Sequence, residues 1–451
     1  MSDNYDKINP NPVTKRIAVK AECVFLTPAL IGSGVSENTD SDIMRDSSGK
    51  PFLPGSTVAG VLRSLLCFAQ SESNALFGKE GDTNNISPLW VFDSELANAN
   101  IIELDGVALD SENKVAIDRM KYDFEAIDTG AIFTMRLLLT IRRDDMGKNY
   151  ESMLNKLISI LNTNLLCVGA KTNRGFGQIK CNSIFQRQFI LTPDNKDDLN
   201  NWINFEWKNS KDWEAAVYED FSSNYSVLTA TLKLDGSIMI RDTRNIYENL
   251  TKDEKAPDYK HITNGGEPVI FGTSWAGAFR AGLYKLLKSK FPQVEIYLDS
   301  VFGVVKKIDD KELTIASQVV FNVSFLKPVN EVVDGFRNIT RVKIDRFTSG
   351  AANGALFNEK PWYGGETILE IRFPRERTDI GELLLLGLDA INNDLIQIGG
   401  ETSIGRGFFK IKGEHAAIDG EPISLNSPKK SLIHAIHSIK DIKEIKKVGV
   451  S

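Results

Sequence analysis

The feature of this sequence that most restricts its fold is one long internal duplication. Residues 50–66, KPFLPGSTVAGVLRSLL, align with residues 267–283, EPVIFGTSWAGAFRAGL. The matched positions include Gly55 with Gly272, Ser56 with Thr273, and Arg63 with Arg280. Because so long a match recurs within the chain, we expect two copies of one fold.

Three further pairs of motifs follow in the same order in both halves. They are LFG at 76–78 with VFG at 301–303, AIDR at 116–119 with KIDR at 343–346, and GAKTNRGFGQIK at 169–180 with GGETSIGRGFFKIK at 399–412. The duplication predicts a first module (1–184), a linker (185–224), a second module (225–413) and a C-terminal tail (414–451). The linker is rich in Asn, Asp, Lys and Trp, and the tail has the pattern of an exposed or docking helix.

Both modules have the same predicted order of elements: a strand, a helix, further strands, a second helix and a last strand. This order is typical of the split β-α-β layout, in which helices cover one face of an antiparallel sheet. The predicted fold class is therefore α+β, with two tandem ferredoxin-like modules and long loop insertions.

The composition is that of an ordinary globular protein, with 42% hydrophobic and 25% charged residues. No run of about 18 apolar residues occurs, so no membrane span is expected, and the N-terminus lacks the apolar region of a secretory signal. The four cysteines form no CxxC pair, which favours reduced thiols in a cytoplasmic protein. The net charge of −6 argues against a surface that is basic throughout, but it is compatible with a local basic groove.

A Gly-rich turn precedes the last strand of each module. Glycine lets backbone N–H groups approach a phosphate closely, and arginine offers a planar fork to phosphate oxygens. Each turn contains one Arg-Gly-Phe triplet, and this recurrence predicts equivalent roles for Arg174 and Arg406. The candidate binding residues are Lys171, Arg174, Gly175 and Gly177 in the first turn, and Gly399, Gly400, Arg406 and Gly407 in the second. A simple tight connection into the last strand is the alternative.

The helix after PGST or FGTS is a second candidate anion site. Its N-terminal N–H groups favour a negative charge, and the Ser/Thr pairs are predicted to form its N-cap. The candidates are Ser56, Thr57, Thr273 and Ser274, with Arg63 and Arg280 about two turns along the helix. An ordinary capped helix with a structural arginine is the alternative.

A long polar loop precedes this helix in each module. The first loop carries Asp40, Asp42 and Asp46, and the second carries Asp258 and His261. Functional residues concentrate on such loops, and a carboxylate there is suited to binding a divalent ion or positioning a nucleophile. Solvated loop acids are the alternative, because no paired-carboxylate spacing recurs between the modules.

An Ile-Asp-Arg motif marks the fourth candidate region, in which Arg119 and Arg346 are placed to meet phosphate or sugar. Aromatic residues after the second motif are candidates to stack on bases or wedge between them. These are Phe347, Phe357, Trp362 and Tyr363. A β-hairpin whose aromatic side chains pack on the sheet is the alternative.

In order, IGSG, an Asp-bearing loop, GKPFLPGSTVAGVLRSLL, IDR and GAKTNRGFGQI resemble the RAMP superfamily of CRISPR-associated proteins. The second module repeats the pattern, so the resemblance covers nearly the whole chain except the linker and tail. The pattern is most similar to the backbone subunit of type III effector complexes. Two modules in one chain resemble its fused, type III-D-like form.

The resemblance implies an RRM-like core with a thumb hairpin that displaces one nucleotide of the guide–target duplex. It implies that the protein binds guide RNA within a ribonucleoprotein filament of CRISPR effector subunits, for antiviral defence. It also implies cleavage of single-stranded target RNA beside the displaced nucleotide, with Mg²⁺ or another divalent metal as cofactor. The candidate residues of the turns, helices and IDR motifs then become RNA-binding candidates.

The catalytic Asp of the family lies in the loop before the PGSS-type helix. This position matches Asp40 in the first module and Asp258 in the second, which are also the candidate metal ligands. The first module has Asp42 where the family often has Pro, so a slip of the assignment to Asp42 stays open. The second module has Phe271 for the usual Pro and a longer loop.

Two other functions stay open. One is a non-catalytic scaffold in which both modules bind guide RNA and the loop acids are structural. The other is a guide-processing endonuclease of the same superfamily, which would use His261 with Lys260 or Tyr259.

Overall fold

The computed structural model describes residues 11–34, 39–65, 70–78, 86–109, 116–145, 147–163, 165–209, 213–218, 223–242, 256–308, 311–425 and 430–439. The chain forms two compact units. The first consists of Met1–Ile102, Glu125–Ala170 and Gly177–Ser222, and the second of Glu103–Phe124, Lys171–Phe176 and Ser223–Ser451. Two short segments of the first repeat therefore belong to the second unit.

The first repeat alternates strands and helices as its sequence predicts. Its strands are β1 (Val13–Phe25), β2 (Phe52–Leu53), β3 (Leu89–Val91), β4 (Ser94–Ala97), β5 (Ile101–Leu109), β6 (Ala116–Ile127), β7 (Ile132–Arg142), β8 (Ile179–Ile190) and β9 (Glu214–Ala215). Its helices are α1 (Gly55–Leu65), α2 (Gln70–Phe77), α3 (Tyr150–Leu161) and α4 (Lys196–Ile203), with 3₁₀ turns at Arg143–Asp145 and Thr172–Arg174.

The main sheet of the first unit has the order β2-β4-β7-β1-β8-β9, and β3 also pairs with β7. β1 lies between two antiparallel neighbours, β7 and β8, so that Ala21 is opposite both Met135 and Ile184. α3 packs on these neighbours and buries Leu154, Leu157 and Leu161, which recur at helical spacing. β5 and β6 form a separate two-stranded hairpin that leads directly into β7.

The segment predicted as a linker is part of the first unit. β8 runs into this range, α4 lies within it, and the ring centroid of buried Phe189 is 5.2 Å from those of Trp202 and Phe205. Trp207 and Trp213 belong to the same aromatic cluster. The prediction of a separating linker is therefore corrected, because its tryptophans pack against the sheet through Phe189 instead of lying in solvent.

The second repeat contains the same elements with more short strands. Its strands are β10 (Tyr225–Asp235), β11 (Ser237–Ile238), β12 (Tyr259–Lys260), β13 (Thr263–Asn264), β14 (Glu267–Ile270), β15 (Val304–Ile308), β16 (Lys311–Ile315), β17 (Val320–Phe321), β18 (Ser324–Phe325), β19 (Gly335–Phe336), β20 (Ile339–Ile344), β21 (Ala351–Lys360), β22 (Trp362–Tyr363), β23 (Glu366–Pro374), β24 (Phe408–Ile418) and β25 (Glu421–Pro422). Its helices are α5 (Gly272–Leu287), α6 (Val294–Phe302), α7 (Thr378–Asn392) and α8 (Lys430–Ser438), with a 3₁₀ turn at Thr402–Ile404.

The main sheet of the second unit repeats the arrangement of the first. Its order is β17-β23-β10-β24-β25, with β10 between antiparallel β23 and β24. The core of this unit includes Trp275, Phe279 and Leu283 from α5, all fully buried. Together the two units confirm the predicted α+β class and its tandem ferredoxin-like modules.

The described part of the C-terminal tail is a docked helix. α8 packs on α7, and its Leu432 and Ile436 are buried in the core of the second unit. Residues 440–451, which include the end of the predicted helical pattern, lie outside the described residues.

The helix after PGST or FGTS starts earlier than predicted in both repeats. α1 begins at Gly55 and α5 at Gly272. A Cβ on Gly55 would lie 2.2 Å from the carbonyl oxygen of Val91, and one on Gly272 would lie 2.1 Å from that of Phe321. Only glycine fits this close approach, so a glycine occupies the first position of each helix. The predicted Ser/Thr N-cap residues therefore lie inside the first helical turn.

Candidate RNA-binding and catalytic sites

The two Gly-rich turns have the same backbone conformation. Lys171 and Glu401 both adopt the left-handed region, with φ of 58° and 59°, and each precedes a 3₁₀ turn. Gly175 and Gly405 end those turns with φ of 83° and 89°. In the second turn Gly399 is also left-handed, with φ of 87°. These positions are therefore structurally equivalent.

Backbone hydrogen bonds within each turn show which residues of the two turns are structurally equivalent. Gly177 accepts from the N–H of Val168, and Gly407 accepts from that of Ile398, both at 2.9 Å. The N–H of Ala170 donates to Leu30 at 2.7 Å, and that of Gly400 donates to Met239 at 2.8 Å. Gly177 thus corresponds to Gly407.

The Arg-Gly-Phe triplets are consequently out of register by two residues. Arg174 corresponds to Ile404, and Arg406 corresponds to Phe176. The prediction of equivalent arginines is wrong. The two Arg-Gly-Phe triplets share a sequence, but the glycines that shape the turns are structurally equivalent only in an alignment that shifts the triplets by two residues.

The first turn presents cationic groups. The Lys171 ammonium lies 3.2 Å from the ring centroid of Phe124 and 4.5 Å from that of Tyr122, whose hydroxyl it contacts at 3.3 Å. Burial and the neighbouring charge of Arg174 lower the pKa of Lys171 to about 8. The Arg174 side chain itself is exposed. A phosphate beside this turn would meet two cations, one of them only partly solvated.

The second turn uses its arginine internally. The Arg406 side chain is 6% exposed and donates to Glu359 at 2.7 Å and to Glu401. Glu401 also accepts from Arg341 and Arg241, both at 3.2 Å. Since carboxylates occupy both ends of the Arg406 guanidinium, we expect this residue to hold the turn together instead of contacting RNA.

The paired arginines of α1 and α5 also have internal partners. Arg63 donates to Asn74 of α2 and to the carbonyl oxygen of Gly78. Arg280 donates to Asp299, a fully buried residue of α6 that also accepts from Lys306 at 2.6 Å. The matched arginines therefore fasten each helix to the next one, which supports the structural alternative over direct phosphate binding.

The first turns of α1 and α5 expose equivalent hydroxyl groups. Ser56 and Thr273 are exposed, and Thr57 and Ser274 are half-buried. The first N–H of α1, that of Gly55, donates to the Asp93 carboxylate at 2.7 Å. The Asp93 carboxylate therefore already occupies the N-terminal end of α1. An additional anion at this end would contact first-turn groups other than the Gly55 N–H.

In the first acidic loop, two neighbouring acids have different environments. Asp42 is 5% exposed, and its Oδ1 accepts from the N–H and the hydroxyl of Thr39 at 2.9 and 2.8 Å. Asp40 lies between these two residues and is exposed. Asp42 therefore shapes the turn, whereas Asp40 is its accessible acid.

Glu125 of β6 holds this loop, and sequence reasoning missed it. Its carboxylate accepts from the Ile43 N–H at 3.1 Å, and its own N–H donates to the carbonyl oxygen of Ser41 at 3.0 Å. Glu125 is 5% exposed. Local spacing gives no signal for such a contact, because the partners are distant in the chain.

In the second loop, Asp258 is exposed but bonded to the neighbouring strand β21. Its N–H donates to the carbonyl oxygen of Asn358 at 2.8 Å, and its Oδ2 accepts from the Asn358 N–H at 2.7 Å. One carboxylate oxygen of Asp258 is thus used in the fold.

His261, three residues further on, is fully buried. Its Nδ1 accepts from the Ile240 N–H at 3.0 Å, and burial lowers its pKa to about 3. The ring therefore stays neutral at physiological pH and has no access to an RNA substrate in this conformation.

The IDR motifs occupy different places in the two hairpins. Ile117 lies in β6, the second strand of its hairpin, whereas Ile344 ends β20, the first strand of the other. Arg119 and Arg346 are therefore not equivalent, which corrects the sequence alignment. The Arg119 side chain lies outside the described residues, and Arg346 is exposed.

The tip of the β20–β21 hairpin displays an aromatic ring on a fixed turn. Phe347 is 99% exposed, while the Asp345 carboxylate accepts from the N–H groups of Phe347 and Thr348 at 2.9 and 2.8 Å. These bonds lower the pKa of Asp345, with the Thr348 N–H as the largest cause. Trp362, by contrast, is 7% exposed, so Phe347 is the aromatic residue best placed for stacking.

The loop acids suit only a metal ion that is shared with a substrate. Among the described residues, no group of three or more His, Cys, Asp or Glu side chains converges to enclose an ion. Mg²⁺ commonly keeps several waters and binds one or two carboxylates together with substrate phosphates. A single exposed carboxylate such as Asp40 fits that mode.

The chain contains two ferredoxin-like modules. Each has a Gly-rich turn and a β-hairpin, β5–β6 in the first and β20–β21 in the second. These features define a tandem protein of RRM-like architecture. The family model of the RAMP superfamily matches residues 22–180 and 231–410, once in each repeat. The chain belongs to the RAMP superfamily, and membership implies a CRISPR-associated, RNA-binding role. Among curated proteins, none matches the chain significantly. Within its described portion, no helix is both long and apolar enough to cross a membrane.

Proposed function

We propose that this protein is the fused backbone subunit of a type III-D-like CRISPR effector complex in the cytoplasm. In this proposal it binds guide RNA and cleaves complementary single-stranded RNA. The observation that carries the RNA-binding part is the first Gly-rich turn, where Lys171 and Arg174 provide cations near the exposed ring of Tyr122. This arrangement suits a single strand, because cations bind its phosphates and an exposed aromatic ring stacks on its bases.

The hairpin tip supports a role in displacing a nucleotide. Phe347 extends almost entirely into solvent from a turn that Asp345 holds. An exposed ring on a fixed turn is suited to stacking on a base or entering a base step. Arg346 beside it supplies a charge for the flanking phosphate.

The proposed cleavage site of the first module is centred on Asp40. The 2′-hydroxyl of the target RNA attacks the adjacent phosphorus in line, the bond to the 5′-oxygen breaks, and that oxygen takes up a proton. In this proposal Asp40 orients the 2′-hydroxyl or accepts its proton. Its exposure on a turn that Asp42 and Glu125 hold supports this role. When bound, a Mg²⁺-class ion would neutralise the charge that develops on the phosphate. Asp40 would hold such an ion in the first module, and Asp258 would hold one in the second.

A non-catalytic scaffold is the second candidate for the second module. The observation that favours it is the hydrogen bond from the Asn358 N–H to Asp258 Oδ2, which gives this carboxylate a structural use. A guide-processing activity at His261 has less support, because that ring is buried and neutral.

Cleavage by the purified complex tests the proposal. Target RNA complementary to the bound guide should be cut at separate positions, and D40N and D258N should each remove one cut while RNA binding is retained. D46N is the matched control, since Asp46 is an exposed acid of the same loop. Its Oδ1 accepts from the N–H groups of Ser48 and Lys50, and the amide oxygen of asparagine can accept the same bonds. D42N tests the alternative assignment.

Chelation of divalent ions should stop cleavage and leave binding unchanged. Retention of both cuts in the D40N/D258N double variant would rule out the catalytic assignment and favour the scaffold.

A further inference from the structure

The two Gly-rich turns place opposite charges at equivalent backbone positions. Lys171 in the first turn and Glu401 in the second have nearly identical φ angles. The position of Phe176 in the first turn is that of Arg406 in the second. An aromatic and cationic cluster in one repeat is therefore replaced by an ionic cluster in the other.

This ionic cluster contains three arginines and two glutamates. Arg406 and Arg341 both donate to Glu359, which is fully buried. Glu401 accepts from Arg406 and Arg341, and also from Arg241. The cluster carries one more positive than negative charge, so it retains capacity for an additional anion.

The side chains of the cluster become more exposed toward one side. Glu359 is 0% exposed and Arg406 6%, whereas Glu401 is 16%, Arg341 33% and Arg241 51% exposed. Glu359 is thus the permanent counterion of the buried Arg406. Glu401 lies between the buried and the exposed arginines, and its side chain is long enough to turn away.

The exposed side of the cluster opens into a groove of about 340 Å³. Aromatic residues flank it: the Arg241 guanidinium lies 3.9 Å from the ring centroid of Tyr259, and that of Arg341 lies 5.3 Å from that of Phe357. Guanidinium groups next to aromatic rings match a nucleotide, which offers a phosphate and a base. Tyr259 directly follows Asp258 in the chain, so the groove adjoins the second loop acid.

We propose that this groove binds an RNA phosphodiester through Arg241 and Arg341, and that the Glu401 carboxylate competes with that phosphate for the same guanidinium groups. The inference rests on the proposed RNA-binding function. A carboxylate and a phosphate accept from arginine in the same bidentate way, so RNA binds here by displacing Glu401 while Glu359 keeps Arg406 neutralised. Glu401 thereby makes the second Gly-rich turn the weaker of the two RNA contacts.

Substitutions in the full-length protein test this competition. The probe is a fluorescently labelled single-stranded RNA without secondary structure, and the readouts are its dissociation constant and the salt dependence of binding. E401Q removes the competing charge with little change of shape and should tighten binding about 3- to 10-fold. Because the same phosphate contact forms in both proteins, the slope of log affinity against log salt should be unchanged in E401Q, and it should become shallower by about 0.7 in R241Q, which loses that contact.

The partner and the control make the result specific. R241Q should weaken binding, and R241Q/E401Q should lose most of the gain of E401Q, because the two residues act on one phosphate. E366Q is the matched control, since Glu366 is paired with an exposed lysine, Lys412, in the same unit. It should leave the affinity unchanged.

The outcomes separate the inference from the proposed function. If wild-type protein binds RNA and E401Q binds with equal or lower affinity at unchanged thermal stability, the competition does not exist and the cluster is structural only. If E401Q lowers thermal stability, the R241Q comparison decides, because Arg241 is half exposed: unchanged RNA affinity in R241Q overturns the inference. If wild-type protein does not bind RNA at all, the proposed function fails first.

Discussion

Arg45 and Glu125 form a two-point ion pair that fastens the Asp40 loop to β6. The guanidinium nitrogens of Arg45 donate to the two carboxylate oxygens of Glu125 at 2.8 and 2.9 Å. The Glu125 side chain is 6% exposed and that of Arg45 is 27% exposed. A bidentate pair in this environment fixes orientation as well as distance, so the loop acid is held relative to the hairpin base.

Removal of the Glu125 charge should loosen this loop. E125Q leaves Arg45 without its counterion, and we expect it to lower the free energy of unfolding by about 1–3 kcal/mol, measured by chemical denaturation. The cut assigned to Asp40 should weaken, whereas the cut assigned to Asp258 should persist. K15Q is the control, because Lys15 and Glu151 form a more exposed pair whose loss changes stability by about 0–1 kcal/mol. Equal loss of both cuts in E125Q would contradict a local role.

Lys171 should give RNA binding a pH dependence in the alkaline range. Its pKa is lowered to about 8, by burial first and by the charge of Arg174 second. As pH rises through this value the ammonium loses its proton, so the affinity for RNA should fall between about pH 7 and pH 9. K171Q should bind more weakly and show no such fall. R174Q should bind more weakly but keep the fall, with its midpoint moved slightly upward, since one source of the depressed pKa is gone.

The same shift has a consequence for stability. Because the folded-state pKa of about 8 lies below the unfolded value of about 10.4, the unfolded chain holds more protons between these values. The Lys171 contribution is therefore unfavourable below about pH 8 and diminishes as pH rises toward about 10. The difference in unfolding free energy between wild type and K171Q should follow this profile. A pH-independent difference would show that Lys171 is solvated normally in the folded protein.

The duplication was sufficient to predict the fold because each repeat carries a complete order of strands and helices. It also located the loop of Asp40 and the two turns, since these interrupt the hydrophobic pattern. It could not predict the register of the turns, because the Arg-Gly-Phe letters coincide while the conformation depends on which glycine is left-handed. Nor could it identify the Arg45–Glu125 pair, because its two members are brought together only by tertiary structure.

The matched arginines show a further limit of motif reasoning. Arg63 and Arg280 recur at one helical position, and a recurring arginine fits phosphate binding and helix packing equally well. Only their partners, Asn74 in one repeat and Asp299 in the other, distinguish the two. A recurrent charge can thus reflect a recurrent fold instead of a recurrent ligand.

Arg280 should accordingly affect stability more than RNA binding. R280Q leaves the buried Asp299 with Lys306 as its remaining charged partner, and the free energy of unfolding should fall by about 1–3 kcal/mol. RNA affinity, measured at a temperature where the variant is folded, should stay within about twofold of wild type. R375Q is the control, since Arg375 forms a longer, exposed pair with Asp419 at 3.6 Å. A large loss of affinity in R280Q without loss of stability would restore Arg280 as an RNA contact.

Phe347 should affect target RNA without affecting the fold. Its side chain is 99% exposed, so F347A should change the free energy of unfolding by no more than about 0.5 kcal/mol. If the ring stacks on or displaces a base, F347A should lower target RNA affinity on the order of 5- to 100-fold, which corresponds to about 1–3 kcal/mol for one stacked base, or should shift the cut position. V332A is the matched control, because Val332 is 93% exposed elsewhere in the same unit. Mapping the cut positions with end-labelled target RNA distinguishes the effects, and identical cleavage and affinity in F347A and V332A would remove the hairpin tip from the RNA interface.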